Sequence, residues 1–299
     1  MAKTVNMAGI FPPVPTPFDG AGELNLKALA DNLEKWNKFP LSGYVILGSN
    51  GEMPYLSETE KLKVFETARK HIPAGKLLLA GCGCESTHSS IALAKQAAAL
   101  GADVALFISP CYYKSKMDNA GLGDYYTKIA DACPIPISMY NMPANTGVDL
   151  SVELVVKMAQ HPNVAAVKDS SGNVAKMGEI VRSVRPDFQV IAGSAGFLYP
   201  ALCIGAIGGV LALANIAPQQ CCDILDYFKH GKHEDAKQLQ LRMIAPNTAV
   251  TAKFGVPGLK AAMDMVGMYG GDPRSPMLPL PEEQKGALKK ILQGAGILS

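Results

Sequence analysis

The residue best suited to covalent chemistry in this sequence is a lysine at the end of an apolar run. Lys168 directly follows the apolar residues 164–167 in the segment VAAVKDSSG. An amine that is partly removed from water loses part of its preference for the charged form, and a neutral amine can attack a ketone to form a Schiff base. The alternative is an ordinary strand-end lysine that pairs with Asp169 or reaches water. Side chains alternate along a strand, so Lys168 and Ser170 share one face and Asp169 lies on the other, which disfavours that pairing.

Two further segments end in residues that could assist such a lysine. Tyr140 ends the run PISMY, and a tyrosine beside an amine can transfer protons; the alternative is a core-edge aromatic bonded to water. Ser49 and Asn50 lie between glycines in GSNGE. Their hydroxyl and backbone N–H groups could hold a carboxylate, although Asn-Gly is also a common turn pair.

Weaker candidates lie after two other apolar runs. Gly193-Ser194 could form a phosphate site of the kind found late in α/β barrels. The adjacent aromatics Tyr112 and Tyr113 could form a surface or interface patch.

The elements that must position these residues form a regular series. Eight short, nearly continuous apolar runs are typical of parallel strands covered on both faces: AGIFPPVPT, GYVILGS, LLLAGCG, DVALFISP, PISMYN, VAAVKDS, FQVIAGS and GGVLALAN. Helical patterns lie between them, beginning with Leu26, Leu29 and Leu33 and with a capping box at Ser57. The sequence therefore predicts an α/β fold, a (β/α)8 TIM barrel. A doubly wound open sheet fits less well, because no G-x-G-x-x-G follows an early strand.

The barrel is predicted to occupy residues 1–222, and a helical extension packed on it to occupy residues 223–299. The segments LDYFKHGKHEDAKQLQLRMIA, VPGLKAAMDMVG and PEEQKGALKKILQ predict helices of that extension. The 299-residue length suits one such barrel.

Composition excludes several classes of protein. With 48% hydrophobic and 18% charged residues the chain is not disordered. Its net charge of +2 shows no excess of basic residues of the kind that proteins use to bind nucleic acid. The seven cysteines are odd in number and lack zinc-ligand spacing, so we predict neither a disulfide framework nor a metal.

An uncharged stretch spans residues 190–222. The core of this stretch is long enough to cross a membrane. Turn-forming residues interrupt the stretch, however: Gly193, Pro200, Gly205 and Asn215. The stretch therefore predicts a strand, a buried helix and another strand, without membrane association. The segment MAKTVNMAG is too short for a targeting peptide. We expect a cytoplasmic protein; a mitochondrial location is the alternative if a presequence was removed.

The strongest candidates all follow predicted strands, and working residues of α/β barrels lie at the carboxyl ends of strands. The segments GSNGE, YNMPANTG and VKDSSG resemble the dihydrodipicolinate synthase/N-acetylneuraminate lyase family of class I, pyruvate-handling aldolases. The resemblance extends from about residue 11 to the C-terminal helices. It implies a 2-keto acid substrate, no cofactor, and a homotetramer built as a dimer of dimers.

By position, the resemblance assigns a role to each candidate. Lys168 matches the Schiff-base lysine and Tyr140 the catalytic tyrosine. Ser49 and Asn50 match the residues that bind the keto-acid carboxylate, and Ser49 also joins the proton relay. The remaining matches are Tyr112, a relay tyrosine supplied by a neighbouring subunit, and the substrate contacts Ser170 and Gly193.

The details favour one branch of this family. Dihydrodipicolinate synthases usually carry two threonines at Ser49-Asn50 and, at Asn145, an arginine that binds the carboxylate of the aldehyde partner. The segments GSNGE, SPCYY, PANTG, QHPN and GSAGF most resemble 4-hydroxy-2-oxoglutarate aldolases and, next, fungal 3-deoxy-hexulosonate aldolases. The resemblance implies metal-free cleavage of a 4-hydroxy-2-keto acid to pyruvate and an aldehyde. The rivals are a metal-dependent or phosphate-binding barrel enzyme and a non-catalytic keto-acid-binding barrel.

Overall fold

The computed structural model describes residues 5–299, and its centre is one sheet of eight parallel strands. The strands lie within the eight predicted segments: β1 Gly9–Phe11, β2 Gly43–Ile46, β3 Leu77–Gly81, β4 Val104–Ile108, β5 Ile137–Asn141, β6 Val164–Asp169, β7 Gln189–Ala192 and β8 Gly208–Val210. The strand order is β1-β8-β7-β6-β5-β4-β3-β2. A parallel bridge between Pro13 and Val45 brings β1 and β2 together and nearly closes the sheet, so the predicted TIM barrel is confirmed.

Helices lie between the strands and after the last of them. Their bounds are α1 Leu26–Trp36, α2 Glu58–His71, α3 Thr87–Ala99, α4 Asn119–Ala132, α5 Pro143–Thr146, α6 Val152–Met158, α7 Val174–Ser183, α8 Leu198–Cys203, α9 Pro218–Lys229, α10 His233–Thr248, α11 Gly255–Met265 and α12 Glu282–Gly294.

Local sequence explains where the first helices begin. The Asn25 side chain accepts from the Ala28 backbone N–H at the start of α1, whose buried stripe includes Leu29 and Leu33. At α2, Ser57 and Glu60 form the predicted capping box, in which each side chain accepts from the other's backbone N–H. Such caps satisfy donors that a helix leaves unpaired at its first turn.

The core has two layers because strand side chains alternate. One set fills the barrel interior and includes Phe11, Val45, Leu79 and Tyr140. The neighbouring residues of the same strands face the surrounding helices in a second, larger cluster. Burial on both faces explains why the strands read as continuous apolar runs.

The uncharged stretch from 190 to 222 forms β7, α8, β8 and the start of α9, as predicted apart from α9. Within residues 5–299, no helix is both long and apolar enough to cross a membrane. All seven cysteines are free thiols.

In the C-terminal extension, the helices do not all begin and end where the sequence predicts. The first of its three predicted helical segments forms two helices, α9 and α10, because Gly231 adopts a left-handed conformation (φ 71°) that interrupts the chain between them. The boundary predicted between residues 222 and 223 falls inside α9. Helix α10 packs on the barrel, where Gln240 donates to the Ala195 carbonyl oxygen at 2.7 Å.

Candidate active site

The end of the barrel where the strands finish holds a lysine against an aromatic ring. Tyr140 on β5 and Lys168 on β6 are register partners in adjacent strands. The Lys168 Nζ lies 3.7 Å from the centroid of the Tyr140 ring. Both side chains are almost completely buried, with 3% and 4% of their surfaces exposed. The structure therefore brings together the two residues expected to do the chemistry.

The Tyr140 hydroxyl is set up to exchange a proton. It lies 3.3 Å from the Ser49 hydroxyl, and either group could donate. Burial acts to raise the pKa of Tyr140, but the Lys168 charge and hydrogen bonds with Ser49, Lys168 and Ser170 outweigh it, so the pKa lies below its usual 10.0. A buried phenol with a lowered pKa is suited to accept and return a proton near neutral pH.

The loop that carries Ser49 and Asn50 has a strained backbone at each end. It forms a short 3-10 helix, Ser49–Gly51, directly after β2. Leu47 and Glu52 flank it with φ values of 59° and 55°. A left-handed conformation costs a non-glycine residue about 1–3 kcal/mol and persists only where surrounding structure imposes it.

A buried ion pair with the C-terminal extension holds the Glu52 end of this loop. Glu52 and Lys260 meet at 2.6 Å with no exposed side-chain surface. Burial lowers the pKa of Lys260, and the Glu52 charge opposes this effect. The Lys260 Nζ also donates to the Asp272 carbonyl oxygen at 3.0 Å, and Glu52 accepts from the Arg274 backbone N–H at 2.8 Å. We call Lys260, Asp272 and Arg274 the C-terminal clamp.

The Arg274 side chain extends the clamp to helix α2. Its guanidinium forms a two-point pair with Glu60 at 2.6 and 2.9 Å. The hydrogen bond from Arg274 is the main cause that lowers the pKa of Glu60 to about 2. A planar fork on a carboxylate fixes geometry as well as charge, so both ends of the segment from Glu52 to Glu60 are held.

Gly193 has a structural reason to be glycine. Its N–H donates to the Asp169 carbonyl oxygen at 2.7 Å, and its carbonyl oxygen accepts from the Ser170 hydroxyl at 3.3 Å. A Cβ at this position would lie 1.9 Å from the Ser170 Oγ. Any larger residue would push Ser170 away from the barrel mouth.

A cavity of about 630 Å³ opens over Lys168. It contains the predicted residues Ser49, Asn50, Tyr140, Asn145, Lys168, Ser170 and Gly193. Among the described residues, Lys168 is the sole charged side chain in its lining, and the other polar groups are hydroxyls and amides. A carboxylate bound beside Lys168 must therefore be held by neutral donors, which the Ser49-Asn50 turn can supply.

One wall of this cavity was not predicted. It comes from the C-terminal extension, where Val250, Thr251 and Ala252 lie in a π-helical turn, Ala249–Lys253. Asn247, just before it, donates to the Ser194 hydroxyl at 3.1 Å and ties the extension to the loop after β7. The sequence feature that could have indicated this irregular turn is Pro246, because a proline interrupts helical hydrogen bonding.

Tyr112 is the predicted relay residue that a single chain does not bring to the cavity. It is 76% exposed beside Tyr113, which is 71% exposed, and the two rings meet edge to face at 4.9 Å. Glu85 holds this loop by accepting from the Tyr112 backbone N–H at 2.9 Å. Two exposed aromatic rings on a fixed loop are typical of an interface.

The part of the chain from residue 5 onward contains no group of three or more His, Cys, Asp or Glu side chains that could hold a metal ion. What the barrel mouth does contain is a buried amine, a buried phenol with a lowered pKa and a turn able to hold a carboxylate. A TIM barrel with these groups defines the class of lyases that work through a Schiff base.

Comparison with known proteins places the chain within that class. Residues 6–295 match the model of the dihydrodipicolinate synthetase family, and the chain belongs to this family. It is 32% identical to a 4-hydroxy-tetrahydrodipicolinate synthase of Caldicellulosiruptor saccharolyticus, covering 94% of this chain and 95% of the relative. It is 31% identical to a protein of Emericella nidulans named as a probable mitochondrial 4-hydroxy-2-oxoglutarate aldolase, covering 97% and 95%.

A solved structure is similar over the whole chain. The chloride-inhibited dihydrodipicolinate synthase of Acinetobacter baumannii, in complex with pyruvate, superposes with a TM-score of 0.93 at 28% identity, covering 98% of this chain and 100% of that one. The predicted family, fold and lyase class are therefore confirmed.

Proposed function

We propose that this protein is a class I aldolase that cleaves a 4-hydroxy-2-keto acid to pyruvate and an aldehyde, with 4-hydroxy-2-oxoglutarate as its substrate. The observation that carries the proposal is the Lys168 amine 3.7 Å from the ring centroid of Tyr140, whose hydroxyl lies 3.3 Å from Ser49. The relatives support it: one is named for this activity, and a solved structure holds pyruvate.

In the proposed mechanism, the Lys168 amine condenses with the C2 ketone and releases water, which leaves an iminium. Tyr140 takes the proton of the C4 hydroxyl. The C3–C4 bond breaks, and its electron pair moves toward the iminium to give an enamine while the aldehyde leaves. Protonation at C3 and hydrolysis then release pyruvate and restore the amine.

Neutral groups hold the substrate in this scheme. The carboxylate beside C2 binds at the Ser49-Asn50 turn, and Ser170, Gly193 and Asn145 contact the rest of the molecule. We further propose that Tyr112 completes the relay from a neighbouring subunit within a homotetramer. The seven free thiols support a reducing compartment, and we place the enzyme in the cytoplasm.

Two other substrates are supported by specific observations. Cleavage of a 3-deoxy-hexulosonate would release a neutral, hydroxylated aldehyde beside pyruvate, which suits a cavity whose sole charged lining group among the described residues is Lys168. Synthesis of dihydrodipicolinate precursors is supported by the names of relatives, but Asn145 stands where, by the resemblance, those synthases usually carry an arginine that binds the carboxylate of the aldehyde partner. The second carboxylate of 4-hydroxy-2-oxoglutarate, like the first, is proposed to bind neutral donors.

Trapping with borohydride tests the proposed chemistry. Pyruvate plus borohydride should add one reduced adduct per subunit, and peptide mass mapping should place it on Lys168. Rates of cleavage of the two hydroxy-keto acids and of condensation of pyruvate with aspartate semialdehyde should then rank cleavage of 4-hydroxy-2-oxoglutarate first. An adduct on another residue, or none under conditions of activity, would contradict the mechanism and favour the binding-protein rival.

The metal-dependent rival is tested in the same assay. Because the iminium supplies the electron sink, cleavage should continue in EDTA at an unchanged rate. Loss of activity that a divalent ion restores would instead favour the rival.

A further inference from the structure

A second pair of side chains lies directly behind the proposed catalytic pair. Asn141 and Asp169 follow Tyr140 and Lys168 in their strands and are themselves register partners. Because strand side chains alternate, this pair lies on the outer face of the barrel. The Asn141 Nδ2 donates to the Asp169 Oδ2 at 2.8 Å, and both side chains are buried.

The Asp169 carboxylate is 1% exposed and well supplied with donors. Besides Asn141, it accepts from the Ser171 N–H at 2.8 Å and the Ser171 hydroxyl at 2.5 Å. The Lys176 ammonium lies 3.5 Å away and also pairs with Asp149 at 2.5 Å. A buried carboxylate that is fully paired specifies one geometry, whereas an unpaired one is costly.

The same residues fix the backbone at the barrel mouth. The Asn141 Nδ2 donates to Asp149 at 2.8 Å as well, which joins β5 to the segment before α6. The Asn141 carbonyl oxygen accepts from the Ser170 N–H at 2.9 Å, and the Asp169 carbonyl oxygen accepts from the Gly193 N–H. The ends of β5 and β6 and the loop after β7 are therefore fastened to one another.

We infer that Asn141 and Asp169 are positioning residues that set the orientation of the two strand ends and so hold the Lys168 amine over the Tyr140 ring. The inference rests on the proposed Schiff-base function. A change in register or twist here would turn Lys168 out of the cavity. The Ser49-Asn50 turn, which is proposed to bind the substrate carboxylate, follows β2 on another part of the barrel, so losing the pair should lower turnover far more than it weakens substrate binding.

The test uses two single variants and their combination. Asp169→Asn removes the carboxylate, and Asn141→Asp sets a new carboxylate against those of Asp169 and Asp149. The combined swap, Asn141→Asp with Asp169→Asn, restores one amide and one carboxylate across the strands. Each single variant should lower kcat and the rate of borohydride trapping by roughly 10- to 100-fold, with KM changed by less than about threefold. The swap should recover part of both rates, because the carboxylate at position 141 regains an amide partner at position 169 but still faces the Asp149 carboxylate.

The matched control is Lys128→Gln, which removes an exposed lysine paired with Asp124 on α4; it should leave both rates unchanged. Single variants that fold, as judged by near-ultraviolet circular dichroism, yet trap pyruvate at the wild-type rate would overturn the inference. So would variants that lose thermal stability while each folded subunit keeps its kcat.

Should Asp169→Asn fail to fold, Lys176→Gln provides the second test. It removes one partner of Asp169 and leaves the amide–carboxylate bond in place, so a smaller drop in trapping rate is expected, and an unchanged rate would overturn the inference. Failure to trap pyruvate on Lys168 of the wild type would overturn the proposed function and this inference together. Normal trapping in wild type and variants alike would overturn the inference alone.

Discussion

Opposing influences act on the phenol of Tyr140, and they can be separated by titration. Burial favours the neutral phenol, whereas the Lys168 charge favours the phenolate. Lys168→Met removes that charge and leaves the burial, so the pKa of Tyr140 should rise. The measurement is tyrosinate absorbance against pH, with Tyr140→Phe subtracted to isolate this residue. Lys128→Met, on the exposed surface of α4, should leave the titration unchanged; an unchanged Tyr140 step in Lys168→Met would contradict the coupling.

Asn145 is predicted to select against aspartate semialdehyde, the aldehyde partner that the resemblance implies for condensation with pyruvate in dihydrodipicolinate synthases. An arginine can form a charge-assisted, two-point pair with a carboxylate, which an amide cannot. Asn145 lies at the exposed rim of the cavity, where water screens a charged contact, so we expect a cost of about 1 kcal/mol, or roughly fivefold in kcat/KM.

Steady-state kinetics with the candidate substrates checks this selection. Condensation with aspartate semialdehyde should be slower than cleavage of the preferred hydroxy-keto acid, and Asn145→Arg should narrow the difference. Faster condensation than cleavage in the wild type would show that the substrate proposal is wrong.

The residues at strand ends could be predicted because chain order alone places them. Lys168, Tyr140 and Ser49 each follow an apolar run, and parallel strands bring such ends together. The partners of Asp169 could not be predicted in this way, since Asn141, Asp149 and Lys176 come from different elements. Alternation along β6 predicted that Asp169 faces away from Lys168, but it could not predict which residues Asp169 contacts on that side.

At the scale of elements, we expect the buried ion pair between Lys260 in α11 and Glu52 in the loop after β2 to stabilise the fold. Lys260→Met would leave the Glu52 carboxylate buried without its counter-ion, and breaking such a pair typically costs about 3–5 kcal/mol. Denaturant unfolding should show this loss. The double variant Glu52→Gln with Lys260→Met should lose less, because no charge is left unpaired.

A surface pair provides the comparison. Lys27→Met breaks an exposed pair with Asp31 in α1 and should change the free energy of unfolding by about 0.5 kcal/mol or less. Equal losses for Lys27→Met and Lys260→Met would mean that the buried pair contributes no more than a surface one.

The sequence predicted which helices and strands are present better than it predicted where each one begins and ends. The strand runs are unambiguous because every strand is buried on both faces, which leaves no polar alternation to misread. The break at Gly231 was missed because the segment 225–245 keeps a helical pattern across it. The π-helical wall at 249–253 was missed because an extra residue in one turn leaves little trace in periodicity.

At the scale of the whole molecule, Tyr112 should act in trans. Tyr112→Phe should lower turnover without changing the fold or the assembly. When its subunits are mixed with inactive Lys168→Ala subunits, some sites receive both an intact Lys168 and a partner's intact Tyr112, so activity should exceed that of either parent. Activity assays after confirmed subunit exchange give the measurement. No recovery would mean that Tyr112 serves its own chain or none.

The bond between Glu52 and the Arg274 backbone joins positions 222 residues apart in the chain, and β1 pairs with β8 across nearly as long an interval. During synthesis, one edge of β1 (residues 9–11) therefore stays unpaired until its partner strand β8, Gly208–Val210, has left the ribosome. The clamp is translated later still, so the turn at Ser49-Asn50 is held in place only after residues 260–274 have been made. A product that ends before residue 260 can contain every proposed catalytic residue and still lack the clamp that supports them, so we expect activity only once residues 260–274 have been translated.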